Sequence, residues 1–133
     1  MRTDSATMDF RVPFAASSVG VARKKLRSWM SAQHLPVERV EEARVVLSEL
    51  IGNAVRHARP LSDGTLLVAW SLDGGALRLS VTDGGGRGRP HTVHAAPNAV
   101  SGRGMLIVDT LADSWWVDQS GSRTTVQALL RLR

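Results

Sequence analysis

The stretch "LSELIGNAVRHA", residues 47–58, places Glu49, Asn53 and His57 at intervals of four. At 3.6 residues per turn such positions share one stripe of a helix. Leu47, Leu50, Ile51 and Ala54 fill the neighbouring stripe, which reads as core. A carboxylate and a carboxamide, with Arg56 and His57 one turn on, therefore line one side of an otherwise buried helix. Such a line is often only a wet face. With a nucleoside triphosphate as partner, each group has a use. The side-chain oxygen of Asn53 is a hard, neutral ligand for Mg²⁺ and adds no negative charge beside phosphates. Glu49, one turn earlier, can orient or deprotonate an attacking hydroxyl or water. Arg56 is expected to lean toward phosphate, and His57 to serve helix-end packing and hydrogen bonding.

Two glycine-rich stretches follow. In "VTDGGGRGRP", residues 81–90, Asp83 ends a strand-like run and is followed by Gly84, Gly85 and Gly86. A carboxylate so placed can accept a hydrogen bond from the amino group of adenine, which guanine lacks at that position. Gly85 leaves room for the base to pack on backbone. In "GRGMLIVDTLADSWWV", residues 102–117, Gly102, Arg103 and Gly104 open a helical pattern. A helix N-terminus offers unpaired N–H groups and a positive dipole end to phosphate. Arg103 adds charge there, and Met105 follows directly. Taken singly, an Asp-Gly turn or a glycine before a helix is ordinary. The order of the three is the stronger signal.

The elements that must position these residues can be read from periodicity. Residues 1–7 are expected to form a loose tail and residues 8–133 a single domain. "MDFRVPFA" alternates as a first strand. Ser17 or Ser18 opens a helix to about Gln33, with Val21, Leu26 and Trp29 turned partly inward. Pro36 opens a second helix to about Ala58, with Glu38, Glu41 and Glu42 near its positive end. "GTLLVAWSL" and "ALRLSVTD" form a hairpin around Asp73-Gly74-Gly75. A long aperiodic loop leads to the third helix, and "DSWWVDQ" and "RTTVQALLRL" close the chain as a second hairpin. The fold class expected is α+β: a two-layer sandwich, its sheet mixed but mostly antiparallel, with helices on one face.

Composition narrows the classes. Of 133 residues, 43% are hydrophobic, enough for a packed core. There is no cysteine, so disulfides and thiolate metal sites are excluded. No apolar run approaches the ~18 residues a membrane span needs, and a cytoplasmic protein without membrane contact is expected. The formal charge is +5, and every basic residue except Lys24 and Lys25 is arginine. The basic residues are scattered and only 5% of the chain is aromatic, which argues against direct nucleic-acid binding. His91 and His94, in the long loop, read as solvated residues rather than zinc ligands.

"ELIGNAVRHA", "VTDGGGRGRP" and "GRGMLIVDTLADSWWV", in that order, resemble the three motifs of the Bergerat-fold (GHKL) ATP-binding module. The resemblance spans nearly the whole chain. At this length the chain is similar to the free-standing anti-sigma-factor serine/threonine kinases and ATP-binding regulators of actinobacterial type. The resemblance implies ATP and Mg²⁺ as cofactors, Glu49 as catalytic base and Asn53 as the Mg²⁺ ligand. It implies Asp83 as the adenine-reading carboxylate, and Gly85, Gly102 and Gly104 as backbone contacts. A strand threonine that helps hold the adenine is implied at Thr125, with Thr124 the competing choice. The partners implied are a sigma factor, an anti-anti-sigma antagonist of STAS type that is phosphorylated on serine, and a second copy in a homodimer. The chain departs from the pattern at Arg87, where the adenine motif usually carries its last glycine; a side chain there bears on the lid or on phosphate. That substitution leaves open an ATP-binding regulatory module that works by protein binding with little or no turnover.

Overall fold

The computed structural model describes residues 6–86 and 103–132. Their elements run β1 (Ala6–Pro13), α1 (Ser18–Ala32), α2 (Val37–His57), β2 (Thr65–Asp73), β3 (Ala76–Asp83), α3 (Arg103–Leu111), β4 (Ser114–Ser120) and β5 (Arg123–Arg131). The strands form one five-stranded sheet in the order β1-β2-β3-β5-β4. Every described pairing is antiparallel. The helices pack on one face, which gives the two-layer α+β sandwich that the sequence pattern implies.

The sheet's inner face follows from period-two alternation. Leu66, Val68 and Trp70 of β2 are buried, as are Leu77, Leu79 and Val81 of β3 and Val126, Ala128 and Leu130 of β5. In α1 the buried positions are Ser18, Ala22, Leu26 and Met30, spaced by four. Trp29 is half-buried, whereas Val21 is 50% exposed and falls on the helix flank rather than inward. No side-chain cap closes the N-terminus of α1; the Ser18 hydroxyl instead donates to the Pro13 carbonyl at 2.6 Å, pinning the helix to the end of β1. His34 ends the helix in the left-handed region at φ 61, and its N–H donates to the Ser31 carbonyl.

The longest helix, α2, lies centrally and packs against α1, α3 and β3. Glu38 stands in its first turn and Arg56 and His57 in its last, each matching the sign of the helix dipole. Leu47, Leu50, Ile51 and Ala54 are all buried, as their stripe requires. Among the described residues no helix is long and apolar enough to cross a membrane.

Because Leu47 is fully buried in this shared layer, Leu47→Ala removes its packing and leaves a cavity. The expected cost is about 2–5 kcal/mol of unfolding free energy, read from urea denaturation followed by circular dichroism.

Candidate functional site

Asp83 is the last residue of β3 and follows Leu77, Leu79 and Val81 on the inner face. Alternation therefore carries a carboxylate into the layer between sheet and helices, where it is fully buried. Its Oδ1 accepts the Gly85 N–H at 2.7 Å, which folds the chain directly after the strand.

The turn is held from two sides. On one side the Gly84 N–H donates to the Arg59 carbonyl at 2.8 Å, and the Arg59 N–H donates to the Gly85 carbonyl at 2.9 Å. This short backbone strap joins the exit of α2 to the end of β3. It brings the chains so close that a Cβ on Gly84 would stand 2.1 Å from the Pro60 carbonyl oxygen. On the other side is the turn between β4 and β5: a Cβ on Gly85 would stand 2.7 Å from the Ser122 carbonyl oxygen. Gly85 also has φ +91, which a side chain would strain.

Across the sheet, Asp83 pairs with Thr124 and Thr82 pairs with Thr125. Thr124 is buried on the inner face beside Asp83, and its hydroxyl lies 4.0 Å from the Cβ position of Gly85. Thr125 points to the opposite face, where its hydroxyl hydrogen-bonds that of Thr82 at 2.8 Å. Of the two threonines that the motif resemblance offers, Thr125 and Thr124, it is Thr124 that shares the inner face with Asp83. The reason is parity: a shift of one residue along a strand moves a side chain to the other face.

On α2, Asn53 is 1% exposed, and its Oδ1 has no hydrogen-bond partner among the described residues. A buried carbonyl oxygen without a partner is costly in a finished fold and fits a group that completes it, such as a hydrated Mg²⁺. Glu49, one turn earlier, is half-buried. Arg56 and His57 are exposed. The Arg56 guanidinium folds back along the helix, its Nη1 3.2 Å from where a Cβ of Gly52 would stand.

The remaining candidates divide. Arg103 and Gly104 lie in the first turn of α3. The Met105 side chain is buried in the core with Val108, so it packs the fold. Arg87, Gly102, His91 and His94 lie outside the described residues. Asp83, Gly85 and Thr124 are brought together; Asn53 and Glu49 stand on the helix packed against the strand that carries Asp83. Sequence reasoning missed the strap through Arg59 and Pro60 and the Ser122 carbonyl, because backbone contacts carry no residue-type signal. The choice of Thr124 was available: counting back by twos from Leu130 through Ala128 and Val126 reaches it.

A helical layer on one face of a five-stranded antiparallel sheet makes a two-layer α+β sandwich of Bergerat (GHKL) type. The sequence matches the model of the histidine kinase-like ATPase domain over residues 12–130, and the chain belongs to that family. No curated protein matches it. Among solved structures, the RsbU and RsbW domains of Rv1364c from Mycobacterium tuberculosis are similar, with a TM-score of 0.73 and 21% identity. That match covers 96% of this chain but only 32% of the other, so this chain spans about a third of that protein's length. At this identity the likeness is one of fold.

Gly85→Ala places a methyl group against the Ser122 carbonyl at a positive φ. It should lower the unfolding free energy by about 1–3 kcal/mol. Gly74→Ala, at φ +61 with open space around it, controls for φ alone and should cost less. Thermal melts of the two variants separate strain from the clash.

Proposed function

We propose that the chain is an ATP-dependent protein serine/threonine kinase that also acts as an anti-sigma factor in the cytoplasm. In this reading it sequesters a sigma factor and phosphorylates a serine of a STAS-type antagonist. The observation that carries the nucleotide half is the buried Oδ1 of Asn53, without a partner among the described residues, on the helix packed against the strand that ends in Asp83. Membership of the ATPase-domain family supports ATP as the ligand. The motif resemblance to anti-sigma-factor kinases supports the partners, and the fold shared with an RsbW-containing structure agrees with it.

The chain's own groups divide the work. Asp83 accepts the adenine amino hydrogen, with Thr124 beside it on the inner face. Gly85, without a side chain, lets the turn after Asp83 close against the Ser122 carbonyl and would meet the base with its backbone. Asn53 would hold Mg²⁺ by its side-chain oxygen, and Arg56, Arg103, Gly102 and Gly104 are the residues that the motif resemblance assigns to the phosphates. Mg²⁺, when bound, neutralises charge that builds on the phosphoryl oxygens. Glu49 accepts the proton of the attacking serine hydroxyl as its oxygen bonds to the γ-phosphorus and the bond to the leaving ADP oxygen breaks. Arg87 favours a second reading, in which the same site holds ATP for protein binding without turnover. Transfer of γ-phosphate from radiolabelled ATP to a candidate antagonist separates the two. A homodimer, usual among the proteins it resembles, belongs to the same proposal and is read from sedimentation.

Calorimetry with Mg²⁺ and a non-hydrolysable ATP analogue tests the assignments. Asp83→Ala should weaken binding by about 1–3 kcal/mol, since a buried polar pairing is lost. Thr124→Val should weaken it by about 0.5–1.5 kcal/mol while Thr125→Val leaves it unchanged. Equal effects of the two threonine variants would contradict the register argument. Glu49→Ala should retain binding and lower phosphotransfer by roughly 10²–10⁴-fold. If its turnover matched that of the unaltered chain, Glu49 would not be the base.

A further inference from the structure

One groove shares no residue with the nucleotide site. It has a volume of about 620 Å³ and lies between β1 and α1, lined by Met8, Val21, Lys24, Lys25, Ser28 and Trp29. Val21, Lys24, Lys25 and Ser28 recur at three- and four-residue spacing, so they form one flank of α1. That flank is unlike the rest of the surface. Val21 is among the few exposed large hydrophobic residues, and α1 carries Arg23, Lys24, Lys25 and Arg27 with no acidic residue at all. Lys24 makes no ion pair among the described residues. Lys25 lies over the Phe10 ring, its Nζ 5.2 Å from the centroid, so its charge is held at the groove wall. Phe10 packs edge-on against Trp70, and Trp70 against Trp29, which makes the floor beneath rigid.

We infer that this groove docks an acidic amphipathic peptide segment of a partner protein. One large apolar side chain of the segment seats between Met8, Val21 and Trp29, and its carboxylates face Lys24 and Lys25. Charge complementarity selects this occupant: the rim is lysine, with no carboxylate on the helix to neutralise it. A single exposed large hydrophobic side chain, Val21, stands on this flank among the described residues, too little apolar surface to insert into a membrane. Apolar walls argue against a phosphate backbone, which would need polar donors along its track. β1 is an edge strand of the sheet, so a segment lying along it meets no other described strand. The inference does not depend on the nucleotide reading.

The test is selection of a random peptide library displayed on phage against the whole chain, followed by synthesis of the strongest binder. The enriched peptides should carry Asp or Glu beside a large apolar residue. The synthetic peptide should shift the Val21 amide and the Trp29 indole N–H in NMR spectra. Its Kd should rise at least about tenfold in the K24E/K25E variant, as expected for reversal of two facing charges. Lys24→Glu alone, at an exposed position, should give about threefold and serves if the double variant does not fold. Binding of the Mg²⁺–ATP analogue should be the same in these variants as in the unaltered chain, which separates this site from the nucleotide site. The inference is overturned by failure of any peptide to enrich or by enriched peptides without acidic residues. It is also overturned by unchanged affinity in K24E/K25E, or by vesicles of anionic lipid binding the same flank with the same dependence on Lys24 and Lys25.

Discussion

Two backbone hydrogen bonds between Arg59 and the Gly84–Gly85 segment tie the exit of the central helix to the end of the strand that carries Asp83. They cross from one layer of the sandwich to the other. Interdigitated apolar side chains already resist relative motion of the two layers, and the backbone bonds add a directional restraint. Close approach adds to it, because Gly84 already stands against the Pro60 carbonyl and Gly85 against that of Ser122. The relative position of Asn53 and Asp83 is therefore set by backbone as well as by packing. This matters for a ligand that must meet a base reader on a strand and a metal ligand on a helix together. Preorganisation of this kind removes ordering cost at the moment of binding.

The second constraint is parity. The inner face of β3 and β5 is apolar up to Val81 and Val126 and turns polar at the next inward pair, Asp83 and Thr124. A hydrophobic layer thus ends in two polar side chains at one end of the sheet. The opposite face shows a separate network, with Thr82 bonded to Thr125 and Asp118 accepting from both Trp116 and Gln127. Burial of Asp83 is tolerated because the Gly85 N–H serves its carboxylate from within the turn. Burial of Asn53 has no such internal answer at Oδ1 among the described residues. In the proposed reading, a nucleotide-bound metal ion supplies a partner for that oxygen.

Much of this was legible in the sequence. Both hairpins, the three helices and the buried stripe of α2 follow from periodicity, and their observed limits lie close to those that the pattern implies. Val21 was misjudged because α1 buries a narrow four-residue repeat, and a valine outside it stays in water. Asp83 and Asn53 were legible because their polarity interrupts apolar patterns. The strap at Arg59 and Pro60 was not, since any residue can supply an N–H or a carbonyl. The motif resemblance implies Thr125 with Thr124 as the competing choice, an offset of a single residue. In a strand it is a change of face.

In the proposed site Asp83 and Asn53 would serve opposite ends of one bound nucleotide, the base and the phosphate-bound metal. The most direct measurement uses Mn²⁺ in place of Mg²⁺, with ADP, and reads paramagnetic broadening in ¹⁵N-resolved spectra. With ADP present, the side-chain amide of Asn53 and the amides of its turn should broaden first, while the Trp29 indole stays sharp. Without ADP the same Mn²⁺ concentration should leave Asn53 largely unaffected. Broadening centred elsewhere at saturating ADP, or an Asn53 signal that stays sharp, would contradict the account.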